Sequence, residues 1–92
     1  MASRTIMAAS LLSCADDGRR HRAKLVAVLS ASERRDHPHI TAACEGSAGA
    51  RYTQRIDLSS LTAGCSCPDR AAVCKHSAAV LQRYLAARGG AQ

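Results

Sequence analysis

Cys65-Ser66-Cys67-Pro68-Asp69-Arg70-Ala71-Ala72-Val73-Cys74-Lys75-His76 places three thiols and one imidazole within twelve residues. The order is Cys-x-Cys, six residues, then Cys-x-His. A Cys3His set of this kind suits the tetrahedral geometry of structural zinc sites, and four protein ligands leave no open position for water or substrate. Cys65 and Cys67 can share one ion if the chain turns sharply between them. Gly64 and Pro68 frame that turn, and the proline biases Cys67 toward extended backbone. Cys74 and His76 cannot both face one centre from inside a regular helix, because residues two apart lie about 200° apart around it. Cys74 is therefore expected at or just before a helix start, with His76 in the first turn. A zinc-loaded Cys3His unit carries a charge of about −1, which suits the positive end of a helix dipole. Lys75, between two ligands, supplies a compensating charge. The competing reading is disulfides or unrelated free thiols, but five cysteines are an odd number, and the spacing is not that of a secreted disulfide framework.

Working outward, residues 73–87 read as a helix with Val80, Leu81, Tyr84 and Leu85 on one apolar stripe, closed by Gly89-Gly90. Upstream, two segments alternate with period two, the signature of a half-buried antiparallel pair. In residues 39–45, Ile40, Ala42 and Cys44 share one face. In residues 51–58, Tyr52, Gln54, Ile56 and Leu58 share one face, with Arg51, Thr53, Arg55 and Asp57 on the other. Gly46-Ser47-Ala48-Gly49 connects them with hairpin chemistry. Residues 25–31 (LVAVLSA) suit either strand or helix; the meander that follows favours strand. Residues 32–38 end in His37-Pro38 and read as a turn, with His37 and His39 solvated. Ile6, Met7, Leu11 and Leu12 suit a short helix over residues 5–14, ended by Asp16-Asp17-Gly18. Residues 59–64 lead into the knuckle. The expectation is an α+β fold: a short N-terminal helix, a small antiparallel β-meander, a zinc knuckle and a C-terminal helix. Residues 1–18 form a helical lead-in and residues 19–92 the zinc-binding domain.

A chain of 92 residues with neither Trp nor Phe, and with Tyr52 and Tyr84 as its aromatics, builds a marginal core. Domains this small bury only roughly 60–65 % of their unfolded surface, and a structural metal is a standard remedy. Thirteen Lys+Arg against seven Asp+Glu give a formal charge of +6, lowered by about one on zinc binding through three thiolates. A basic balance suits acidic partners such as nucleic acid; the bland alternative is an arginine-rich solvated surface. The candidate phosphate contacts are Arg19, Arg20, Arg22 and Lys24, then Arg51 and Arg55 on one strand face, with Arg70 and Lys75. Loss of Arg19 and Arg20 is expected to weaken binding without loss of fold. No recognition helix is legible, so binding to DNA or other nucleic acid should be salt-sensitive and weakly sequence-specific.

Cys65-x-Cys67 and Cys74-x-His76-x-x-Ala79 resemble the SWIM-type zinc finger, whose pattern is CxCxnCxHxxA. CSCPD, VCKH and SAAVL are similar to that family's usual text. ITAACEGSAGARYTQRIDLS looks like the paired strands before its knuckle, and Arg19-Arg20-His21 like its preceding basic segment, so the likeness spans residues 19–87. The resemblance implies a ββα fold with zinc as the cofactor, and a small residue at position 79. It also implies binding to DNA or to proteins, often beside helicase-like ATPases, transposases, ubiquitin ligases or RecA-like recombinases. No catalytic domain accompanies the motif in these 92 residues.

Two functions follow. One is nucleic-acid binding through the basic surface. The other is an adaptor that docks onto a larger protein partner, helicase-like or recombinase, with an exposed apolar patch near Leu81 or Leu85. No enzyme is expected, and no small-molecule substrate: Cys74 and His76 could pair as nucleophile and base, or Cys65-x-Cys67 as a redox couple, but zinc would consume all four. Cys44 reads as a buried inert thiol and Cys14 as a bystander. Leu11-Leu12-Ser13-Cys14 also resembles a short lipoprotein-type export signal, although the stretch fits an amphipathic helix as well. No apolar run nears the ~18 residues of a membrane span, and the cytoplasm is the expected compartment.

Overall fold

The computed structural model describes residues 3–88, which form three α-helices, four strands and one short 3-10 turn at Ser47–Gly49. The Gly89-Gly90 helix stop lies outside the described residues. Helix α1 (Arg4–Leu12) begins where the Ser3 hydroxyl accepts the Ile6 N–H at 3.1 Å. It buries Ala8 and Leu11, while Ile6 stays exposed. Asp16-Asp17-Gly18 does more than stop this helix. The Asp16 carboxylate accepts the Arg19 N–H at 2.8 Å and starts a second helix, α2 (Asp17–Ala23), so the basic cluster is helical.

Four strands follow: β1 (Val28–Glu33), β2 (His39–Glu45), β3 (Arg51–Asp57) and β4 (Thr62–Cys65). They pair antiparallel in the order β1-β2-β3-β4, a plain meander. The first strand starts later than residue 25, because the Leu25 and Val26 N–H groups are spent in turn bonds to Arg22 and Ala23 carbonyls. A bulge between Val28 and Ser30 marks its entry into the sheet. β4 was not anticipated. Asp57 Oδ1 accepts the Ser59 N–H at 2.9 Å and the Ser59 hydroxyl at 2.6 Å, and Leu61 takes a left-handed φ of 54°. That tight turn folds the approach to the knuckle back along β3.

The period-two faces are realised as read. Ile40 faces Ile56, Ala42 faces Gln54 and Cys44 faces Tyr52 across β2 and β3. Ile40, Ala42, Cys44, Ile56 and Leu58 are buried, and α3 (Lys75–Ala87) supplies the other side of the core through Ala78, Val80, Leu81 and Leu85. Both α1 and α2 pack on α3. Buried Ala8, Ala15 and Ala23 present small side chains where these helices meet. The expected exposed patch near Leu81 and Leu85 is not there: the two side chains are 0 % and 7 % exposed, because the sheet and helices claim that stripe.

One polar cluster ties the chain ends together. Glu33 on β1 accepts hydrogen bonds from Arg4 of α1 at 2.7 Å and from the Tyr84 hydroxyl of α3 at 2.6 Å. Arg4 also donates to the Arg34 and Arg35 carbonyls, and Arg88 lies 5.0 Å from the Tyr84 ring centre. Burial pushes the Tyr84 hydroxyl up to about 12, and the neighbouring carboxylate adds to the rise. For Glu33 burial works upward, but the bonds from Tyr84 and Arg4 prevail and hold its carboxyl below the usual range. Tyr84→Phe should therefore cost about 1 kcal/mol of unfolding free energy, measured by urea denaturation of the zinc-loaded protein at neutral pH. An unchanged midpoint would remove this cluster from the account of stability.

Candidate metal centre

The four residues converge. Cys65, Cys67, Cys74 and His76 each offer a ligand atom, and these atoms all lie within 4.8 Å of one another. Cys65 ends β4, Cys67 sits in the turn after it, and α3 begins directly after Cys74. Cys74 occupies the N-cap itself, with extended φ and ψ of −79° and 173°. His76 falls in the first helical turn, as the 200° argument requires. Its Nδ1 is 3.9 Å from Cys74 Sγ. That separation is close to one edge of a tetrahedron with Zn–S near 2.3 Å and Zn–N near 2.0–2.1 Å, so donor set and spacing both fit zinc.

The surroundings act differently on the ligands. Burial raises the Cys74 thiol, but the Ser77 N–H at 3.4 Å and the Ser77 hydroxyl at 3.7 Å outweigh it, and the net shift is downward. A thiolate is thus favoured where the helix N-terminus also favours negative charge. Burial pushes the Cys67 thiol up to about 12, partly offset by the Asp69 backbone N–H. Burial first, and then the charge of Lys75, hold His76 below its ordinary 6.5, against the opposing pull of Asp69. The Tyr52 ring lies 5.0 Å from the His76 ring, tilted by 50°. It rests over Gly46, where a Cβ would meet Tyr52 Cε2 at 2.2 Å. Gly46 is therefore glycine for close approach, not for backbone freedom.

Arg19 has a task that the sequence did not reveal. Its guanidinium grips Asp69, in the loop between Cys67 and Cys74, with two bonds: Nε to Oδ2 at 2.8 Å and Nη2 to Oδ1 at 2.9 Å. Arg19 also pairs with Asp16. Those bonds from Arg19, joined by the Ala71 N–H, pull the Asp69 carboxyl down to about 2. Arg20 is likewise engaged, donating to the Ala15 carbonyl at 2.7 Å and pairing with Asp17. These two arginines brace the knuckle loop and α2, so neither cation is free in the way a bare phosphate contact would be. Arg22 and Lys75 instead line a cleft of about 320 Å3 beside the metal site, with Ser47, Tyr52, Asp69 and His76. An adjoining cleft shares Arg22 and Lys75 and reaches Leu25 and Glu45. Arg51 and Arg55 project from the opposite, solvent face of the sheet, and Lys24 and Arg70 are exposed. The eight candidate cations thus do not form one patch.

The family model of the SWIM zinc finger matches residues 52–85, from β3 through β4 and the knuckle into α3. That segment is matched by the SWIM zinc finger model, and the Cys3His cluster within it supports zinc as the cofactor. No curated protein and no solved structure matches the chain. Helices α1 and α2 and strands β1 and β2 lie outside the matched segment.

Metal binding and folding are one equilibrium in domains of this size. Cys74→Ser and His76→Ala should each lose zinc and unfold the C-terminal half, seen as reduced helical circular dichroism together with metal analysis. A variant that keeps its helicity without metal would refute the staple. The pH dependence has a definite sign. His76 takes up a proton less readily folded than unfolded, so stability rises with pH through 6.5 and is lost as pH falls through and below that value. Proton competition for the thiolates acts in the same direction. The melting temperature of the zinc-loaded protein should fall between about pH 7.5 and about pH 5.5, with zinc released at the acid end. A flat profile would contradict this.

Proposed function

We propose that the chain binds nucleic acid, DNA in the first instance, through a basic surface beside a structural zinc centre. The observation that carries this reading is the placement of Arg22 and Lys75. Both line the two adjoining clefts at the metal site, and neither has an ion-pair partner among the described residues. Lys24, Arg51, Arg55 and Arg70 are also exposed. Such cations release counterions from phosphate and give salt-dependent binding with little base readout. Zinc is the staple, the module catalyses nothing, and no small molecule is its substrate. No helix among the described residues is long and apolar enough to cross a membrane. The free thiols at Cys14 and Cys44 suit the reducing cytoplasm.

A second reading, an adaptor docking onto a larger helicase-like or recombinase partner, draws on a different observation. Leu25, 87 % exposed, lines the second cleft together with Arg22 and Lys75, an apolar knob in a cationic setting.

The zinc-loaded protein should bind single- or double-stranded DNA more weakly at higher salt, read by fluorescence anisotropy. Arg22→Ala and Lys75→Gln should each lower the slope of log affinity against log salt by about one and leave the metal content unchanged. No binding at low salt would overturn the nucleic-acid reading and put the adaptor first.

A further inference from the structure

Gln54 is out of place by polarity. It sits on the inward face of β3, fully buried, while the other inward positions Ile40, Ala42, Cys44, Ile56 and Leu58 are apolar. Burying an amide is costly unless its hydrogen bonds are made. Its Nε2 donates to the Tyr52 carbonyl at 3.0 Å and to Cys65 Sγ at 3.2 Å. Its Oε1 is buried without a partner. A leucine or methionine would fill this space without leaving a carbonyl orphaned, so packing alone does not account for an amide here. The orientation of that amide is fixed by chemistry. Turned over, Oε1 would face the Tyr52 carbonyl, acceptor against acceptor, and both donor contacts would be lost. The strand register places the donor, because Gln54 on β3 pairs directly with Cys65 on β4.

We infer that Gln54 is a positioning residue of the zinc centre, its amide N–H holding the Cys65 sulfur in place and withdrawing charge from it. The inference rests on the zinc site and is independent of the nucleic-acid reading. An N–H aimed at a zinc-bound thiolate does two things. It fixes where the sulfur lies before metal arrives, and it makes the thiolate less basic and less nucleophilic once metal is bound. Cys74 already has such a donor in the Ser77 N–H; Gln54 gives Cys65 the equivalent from the sheet side. The sulfur at the strand end is then held from the adjacent strand, and the sulfur at the helix start from within its own helix. Outer partners of metal ligands commonly matter at this level.

The test uses the full chain with zinc and with cobalt(II) in its place. Gln54→Met keeps length and apolar volume and removes the donor. It should weaken zinc binding by roughly 10–100-fold in chelator competition and move the thiolate-to-cobalt charge-transfer band to lower energy. An unmoved band, whether or not the melting temperature falls, would reduce Gln54 to packing and overturn the inference. Should Gln54→Met fail to fold, the unsubstituted protein loaded with the NMR-active cadmium isotope decides. Scalar coupling between the metal and a Gln54 amide proton, carried through the Cys65 sulfur, supports the proposal. Its absence, with Cys65 itself coupled to the metal, overturns it.

Discussion

Everything in this molecule depends on closing four ligands around one ion. Cys65 belongs to the sheet, Cys74 and His76 belong to α3, and Cys67 lies in the turn between. The metal therefore joins the last strand to the helix that covers the sheet. Apparent binding free energies for structural zinc reach about 10–16 kcal/mol in small peptides at neutral pH. Net stability of ordinary domains is about 5–15 kcal/mol. The metal contribution is as large as everything else left after conformational entropy is met. With a core of Ile, Leu and Val thinned by alanines, no other single interaction here has that weight.

The surrounding structure is arranged to let the ligands meet. Ala79, three residues after His76, is buried, and Ala78 beside it is fully covered, so the first turns of α3 approach the sheet closely. Cys44 contributes its thiol to the same interior, 3.7 Å from the His76 carbonyl. Burial pushes that thiol up to about 11, with Cys65 and Cys74 adding to the rise, so it remains protonated and inert. The Arg19–Asp69 pair is partly exposed, at 28 % and 32 % of side-chain area, and solvent screening limits its worth to stability. Its value is geometric. A bidentate guanidinium fixes a carboxylate in plane and distance, and this carboxylate lies two residues after a ligand in an otherwise irregular loop.

Much of the site and half of the fold were legible for the same reason: periodicity and spacing are local properties. The alternation at Ile40, Ala42 and Cys44 and at Gln54, Ile56 and Leu58 specified the inward faces of the pair, and the Cys-x-His spacing specified a helix start at Cys74. What stayed hidden depended on contacts distant in sequence or on turn chemistry. The carboxylate of Asp16 could stop one helix or start another, and only the Arg19 N–H that it accepts distinguishes these. β4 needed Leu61 in a left-handed conformation, which a leucine does not advertise. Leu81 and Leu85 read as a stripe, but a stripe does not say whether the sheet or a partner covers it. Gln54 is legible in part: an amide on an otherwise apolar strand face asks for a buried acceptor, but which one depends on the β3–β4 pairing.

The arginines teach the sharper lesson about charge. Composition treats Arg19, Arg20 and Arg22 as one basic run, yet their helical positions send them to different work. Arg19 turns to the knuckle loop and Arg20 back to the Ala15 carbonyl, while Arg22, one turn of helix beyond Arg19, lines the open clefts. Residues three apart on a helix share a side but not a neighbour. A cation already satisfied by a carboxylate has less to gain from a phosphate, since binding would first break a formed pair. The electrostatic surface offered to an acidic partner is thus smaller than the net charge suggests. Arg22 and Lys75 stand beside the metal site with Asp69 and Glu45 among the residues that line the same clefts, so even there the positive charge is partly balanced from within the fold.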